Sequence, residues 1–123
     1  GLEATPLVIA TMHGHERVVE ALVARGARVE SSLPGHFPPA ILRAVIDQRV
    51  GILRRLLDAS PAFPPTRALE QHLHAAGATP NIELVRMLLG RGAEVTSVRF
   101  QRAILRLAEA VGDGELAARF RAP

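Results

Sequence analysis

Histidine is the residue of this chain that most readily suggests chemistry, because imidazole ligates metals and moves protons near neutral pH. There are five among 123 residues. His13 and His15 stand two apart, as do His72 and His74. On a regular helix that spacing sends the side chains to different faces, so neither pair chelates an ion from a helix. Cysteine is absent, which removes thiolate zinc sites, cysteine nucleophiles and disulfides. Ser31, Ser32, Ser60 and Ser97 fall in expected loops or caps, and none sits in a Gly-x-Ser-x-Gly elbow. Gly90-Arg91-Gly92 reads as a helix end rather than a phosphate cradle. No single apolar face carries two carboxylates. The sequence therefore predicts no catalytic residue, no cofactor-binding residue and no metal ligand; the chain reads as a non-enzyme.

Arginine gives the strongest electrostatic signal. All 15 basic residues are arginine and none is lysine, against 12 acidic residues, for a formal charge of +3. Biased nucleotide composition explains this blandly, and the many alanines fit that explanation. A sharper reading is a chain offering no side-chain amine to ubiquitin or acetyl transfer. Arg99, Arg102 and Arg106 lie at i, i+3 and i+7, one stripe of a helix, and Arg43, Arg49, Arg54 and Arg55 crowd a second region. A solvated face is the default for such stripes; an acidic protein or a phosphate backbone is the alternative partner. Nucleic-acid binding usually adds stacking aromatics, and here there are four Phe with no Trp or Tyr.

These residues must be positioned by a scaffold, and composition bounds it. Apolar residues make up 48% of the chain. A domain of this length buries roughly two-thirds of its unfolded surface, and the low net charge argues against long disorder. No apolar run approaches the roughly 20 residues that cross a bilayer, so no membrane association is expected. An intracellular protein, cytoplasmic or nuclear, is the default. Gly1 in place of methionine suggests a piece of a longer protein.

The scaffold is a repeat. Ala10, Ala44, Ala76 and Ala108 recur at steps of 34, 32 and 32 residues. Three residues before each stands Leu7, Ile41, Leu73 or Leu105. Eight and nine after stand Val18-Val19, Ile52-Leu53, Leu84-Val85 and Leu116-Ala117; twelve and thirteen after stand Leu22-Val23, Leu56-Leu57, Leu88-Leu89 and Phe120-Arg121. Each unit reads as two short helices. Thr5 caps the first and Pro6 fills its first position; Gly14 and Gly26 are stops. In the second unit Gln48 replaces the first glycine and Ser60-Pro61 the second. In the third, Thr79-Pro80 opens and Gly92 closes the second helix. Helices this short are marginal alone, so each pair must stack on a neighbour.

Thr5-Pro6-Leu7-Val8-Ile9-Ala10, then Gly14-His15 and Gly26-Ala27, resembles an ankyrin repeat; so does Leu73-His74-Ala75-Ala76 with Gly92-Ala93. The resemblance covers four units, about 2–29, 36–63, 67–95 and 98–121, the second and fourth degenerate. It implies an all-α ankyrin-repeat solenoid of stacked helix-turn-helix units in one domain over 1–123. It also implies that His74 bonds backbone of the neighbouring turn. A β-hairpin finger has room over 30–38. After Phe63 only Pro64-Pro65-Thr66 remain before the next stripe, Leu69, Leu73 and Ala76. Thr66 and Ser97 therefore read as caps of longer inner helices, the second carrying Phe100, Ile104, Leu107 and Val111, with stunted fingers.

The family implies a non-catalytic protein-binding module whose partner lies along a concave strip of finger tips and inner helices. Carried over by position, the partner-binding residues are Ile9, Met12, His13, His36, Phe37, Arg43, Ile46, Asp47, Arg102 and Arg106, extended by Ala75, Thr79, Gln101, Leu107 and Val111. Ile9, Met12, Phe37 and Ile46 form an apolar patch among charges. The partner is another protein or another domain of the same polypeptide, with the chain itself monomeric or weakly self-associating. Arg121 supplies a polar end to the last unit, whereas the first shows apolar Val8, Ile9 and Met12, as if it continued upstream or packed on another chain.

Overall fold

The computed structural model describes residues 5–30, 36–76 and 80–121. Within them the chain forms eight α-helices and no strand: α1 (Pro6–Met12), α2 (Glu16–Ala24), α3 (Pro39–Ile46), α4 (Val50–Ala59), α5 (Pro65–Ala76), α6 (Ile82–Gly90), α7 (Val98–Val111) and α8 (Gly114–Phe120). They fall into two compact units, Gly1–Pro64 and Pro65–Pro123.

In the first unit the predicted punctuation holds. Thr5 is extended, and its hydroxyl oxygen accepts the Val8 N–H at 3.2 Å while Pro6 takes the first helical position. Gly14 turns the chain at φ +71°. The same turn in the next pair is made by Gln48 at φ +57°, a left-handed conformation that costs a side-chain-bearing residue about 1–2 kcal/mol. Both turns close the same way: His15 N–H donates to the Ala10 carbonyl at 3.0 Å and Arg49 N–H to the Ala44 carbonyl at 2.8 Å. Helix α1 packs on α2 and α3 on α4, and the pairs stack α1 on α3 and α2 on α4. Leu7, Ala10, Val19, Ile41, Ala44, Val45, Leu53 and Leu56 form the buried core. The repeat register predicts all of these positions except Val45. It also placed Val18 with them, yet Val18 is 47% exposed where its counterpart Ile52 is buried.

In the second unit α5 packs on α6, α7 on α8, and α6 on α7. The inner helices are longer, as predicted: 12 residues in α5 and 14 in α7, against 7 in α1 and 8 in α3. Helix rather than hairpin therefore occupies 65–70. The buried stripe of α7 runs through Ile104 and Ala108, with Phe100 and Leu107 half-buried and Val111 exposed. The caps differ from expectation. Helix α5 begins at Pro65, whose missing N–H suits that position. Thr66 is then two residues too late to cap, and its hydroxyl instead accepts the Glu94 N–H at 3.0 Å. Ser97 stands at the α7 N-cap without a side-chain cap bond. Thr79 lies outside the described residues; Asn81 caps α6, its Oδ1 accepting the Glu83 and Leu84 N–H groups at 2.9 and 3.3 Å. Most of the finger expected over 30–38 also lies outside them.

Candidate protein-binding surface

The expected site residues divide between the units. In the first, α1 carries Ile9, Met12 and the flanking His13, and α3 carries Arg43, Ile46 and the flanking Asp47. The 34-residue step makes Ile9 equivalent to Arg43, Met12 to Ile46 and His13 to Asp47, so stacking α1 on α3 sets two matching rows side by side. Three large apolar side chains stay open in these rows: Ile9 at 46%, Met12 at 41% and Ile46 at 40%. The charges between them are matched, for Arg43 Nε donates to Asp47 Oδ2 at 3.1 Å one helical turn away. His13 and His36 are exposed.

Phe37 is not among the open apolar side chains. It is half-buried, with its ring edge-on to Phe63 at 5.0 Å between centroids and 71° between planes. The sequence could not show this, because the partner ring lies 26 residues away in the segment leaving α4. The arginine crowd of the second repeat also dissolves. Arg43 is paired; Arg49 Nη2 donates to the Met12 carbonyl at 3.3 Å, holding the end of α1; and Arg55 meets Glu16 at 3.2 Å and Glu20 at 3.4 Å. Arg49 and Arg55 thus clasp neighbouring helices, while Arg43 pairs at the end of its own.

The second unit holds Arg102 and Arg106 on α7, both exposed beside Arg99. Among the described residues none of the three has an ion-pair partner. Ala75 is exposed, and Gln101 is half-buried with its side-chain amide donating to the Val95 carbonyl at 2.8 Å. The role expected of His74 belongs to His72. His72 is 1% exposed and its Nε2 accepts the Asn81 N–H at 2.9 Å, whereas His74 is exposed and lies edge-on to Phe100 at 5.3 Å. His13 and His15 also behave differently from helix-bound residues. The Gly14 turn separates them and brings their rings within 5.9 Å, nearly parallel. Even so, no cluster of three metal-ligating side chains occurs among the described residues. Ser60 is buried and donates its hydroxyl to Glu30 Oε1 at 3.2 Å. Missed altogether by sequence reasoning was a groove of about 700 Å³ in the second unit, lined by residues from the end of α6, from α7 and from the end of α8. Its signals were apolar Val98 and Leu105 and the Arg119-Phe120-Arg121 run.

The architecture is that of a repeat of paired helices, two pairs in each unit. Residues 3–32 match the ankyrin repeat family model. The chain is 28% identical over 92 residues to ankyrin repeat and SOCS box protein 11 of Homo sapiens, covering 75% of this chain and 28% of that protein. It is 28% identical over 93 residues to ankyrin repeat and SOCS box protein 5 of Mus musculus, covering 76% and 28%. It is also 28% identical over 107 residues to a putative ankyrin repeat protein of Rickettsia felis, covering 80% and 47%. This chain thus spans less than half the length of these curated relatives. No solved structure matches it significantly. Residues 3–32 are thus similar to an ankyrin repeat and the curated relatives are ankyrin repeat proteins, a family whose members generally serve as protein-interaction modules. Among the described residues no helix is long and apolar enough to cross a membrane.

Proposed function

We propose that the chain is a non-catalytic protein-binding module and that its first unit contacts the partner through Ile9, Met12 and Ile46. One observation carries the reading: three large apolar side chains, Met12 and Ile46 at matching positions and Ile9 one turn before Met12, lie open on stacked inner helices, with Arg43 and Asp47 paired to each other. A single exposed aliphatic residue is ordinary; a cluster on adjacent helices is what a partner removes from water. The platform is ordered before binding, so association loses little conformational entropy. The partner is another protein or a further domain of the same polypeptide, and the setting is the cell interior, cytoplasmic or nuclear.

The test is quantitative capture by the wild-type chain and by the Ile9→Asp/Ile46→Asp variant, with helicity checked by circular dichroism. Binding through the apolar rows predicts loss of the captured protein at retained helicity, and little change between 50 and 500 mM salt. The second reading, a polyanion platform, draws on exposed Arg99, Arg102 and Arg106. It predicts affinity that falls steeply with salt and ignores the α1 and α3 substitutions.

A further inference from the structure

We infer that the groove of the second unit holds an acidic, apolar-centred peptide segment of a partner protein. The inference rests on the protein-binding reading but not on the α1 and α3 surface. The groove's floor is apolar: Leu89 from α6, Val98 and Leu105 from α7, and Phe120 from α8. Val98 is 58% exposed, the most open of the large aliphatic side chains among the described residues. Leu105 is only half-buried, although its counterparts Leu7, Ile41 and Leu73 are buried in the other pairs.

The rim is cationic, with Arg102, Arg119 and Arg121 against one acid, Glu94. Arg102 has no ion-pair partner among the described residues. Arg119 lies over the Phe120 ring at 5.8 Å, so that wall offers an aromatic surface and a cation together. Arg121 reaches Glu109 only at 3.6 Å, with both side chains more than half exposed. Such a pair contributes little and exchanges readily for an incoming carboxylate. A bare polyanion would leave the apolar floor wet and set charge beside Glu94. A peptide places one aliphatic or aromatic side chain on the floor and carboxylates on the arginines, matching both features.

The experiment is an NMR titration of the full chain with an acetylated, amidated hexapeptide of order Glu-Asp-Leu-Phe-Glu-Asp. Shifts of the Val98 and Leu105 methyls and the Phe120 ring are expected, with Ile9 and Met12 still. The Arg102→Glu/Arg119→Glu variant should weaken binding at least about tenfold, and Arg102→Gln by less. Thermal unfolding confirms that both variants fold. A peptide with lysine for every acid should shift nothing. The inference is overturned by no shift in the groove, by equal shifts in the charge-reversed variant, or by hexaglutamate binding as tightly. It is also overturned if the groove signals move with chain concentration alone, the mark of a second copy seated there. Shifts confined to Ile9, Met12 and Ile46 would sink the groove and leave the first-unit surface standing.

Discussion

Asn81 donates its backbone N–H to Nε2 of His72 at 2.9 Å, inside the second unit. The corresponding N–H groups of the other helix pairs, on His15, Arg49 and Asp113, donate to the carbonyls of Ala10, Ala44 and Ala108 at 3.0, 2.8 and 2.8 Å. A buried imidazole therefore stands in the third pair where backbone closes the turn in the others. Pro80 occupies the position held by Gly14, Gln48 and Gly112, whose left-handed φ lets the chain fold back on its own helix. Proline fixes φ near −65° and denies that conformation, so the N–H turns to a side chain.

His72→Phe keeps the volume and removes the acceptor. An unsatisfied buried N–H costs about 1–3 kcal/mol, and urea unfolding should show a loss of that size. His74→Ala should cost less, about 0.5–1.5 kcal/mol for its edge-on contact with Phe100. Equal losses would mean that the third turn does not depend on His72.

Gln48→Gly should stabilise the chain by up to about 1 kcal/mol, because glycine adopts the left-handed turn without steric penalty. Gly14→Ala should do the reverse. It meets φ +71° and also places a methyl 2.8 Å from Arg49 Nη1, so the guanidinium that holds the Met12 carbonyl through Nη2 must shift. The paired thermal midpoints decide the matter, moving in opposite directions if the turn governs them.

Asp113 caps α8 by accepting the Leu116 N–H at 3.0 Å, and it pairs with Arg86 at 2.6 Å. The cap bond first, and the Arg86 guanidinium second, hold its carboxyl below the usual carboxylate range. A depressed folded value means that its stabilisation is present above the unfolded value near about 4 and is lost as pH falls through the folded one. Asp113→Asn should therefore flatten the acid side of the stability profile, with the two proteins converging at the lowest pH. Parallel curves would refute the linkage.

Phe37→Ala should lower stability by about 1–3 kcal/mol through its half-buried contact with Phe63. Met12→Ala should change stability by no more than about 0.5 kcal/mol and weaken partner binding instead. Chemical denaturation and a binding isotherm on the same two variants separate these effects.

The Thr5-Pro6 start, the Gly14 and Gly26 stops and the Leu7/Ala10 stripe were legible in sequence because each acts within a few residues. So was the stacking of pairs, since Val19, Leu53, Val85 and Ala117 share one register position and all are buried. What sequence hid depends on partners distant along the chain. Choosing His72 over His74 required knowing which ring meets the Asn81 N–H. Seeing Phe37 half-buried required Phe63, and finding partners for Arg49 and Arg55 required Glu16, Glu20 and the Met12 carbonyl.

Site-specific photo-crosslinking tests the central claim most directly. A benzophenone side chain is placed in turn at Met12, at Ile46 and at Ala24, which is exposed on α2. The first-unit surface predicts that positions 12 and 46 crosslink to one and the same polypeptide and that position 24 does not. Equal yields at all three positions, or crosslinks only at 24, would contradict it.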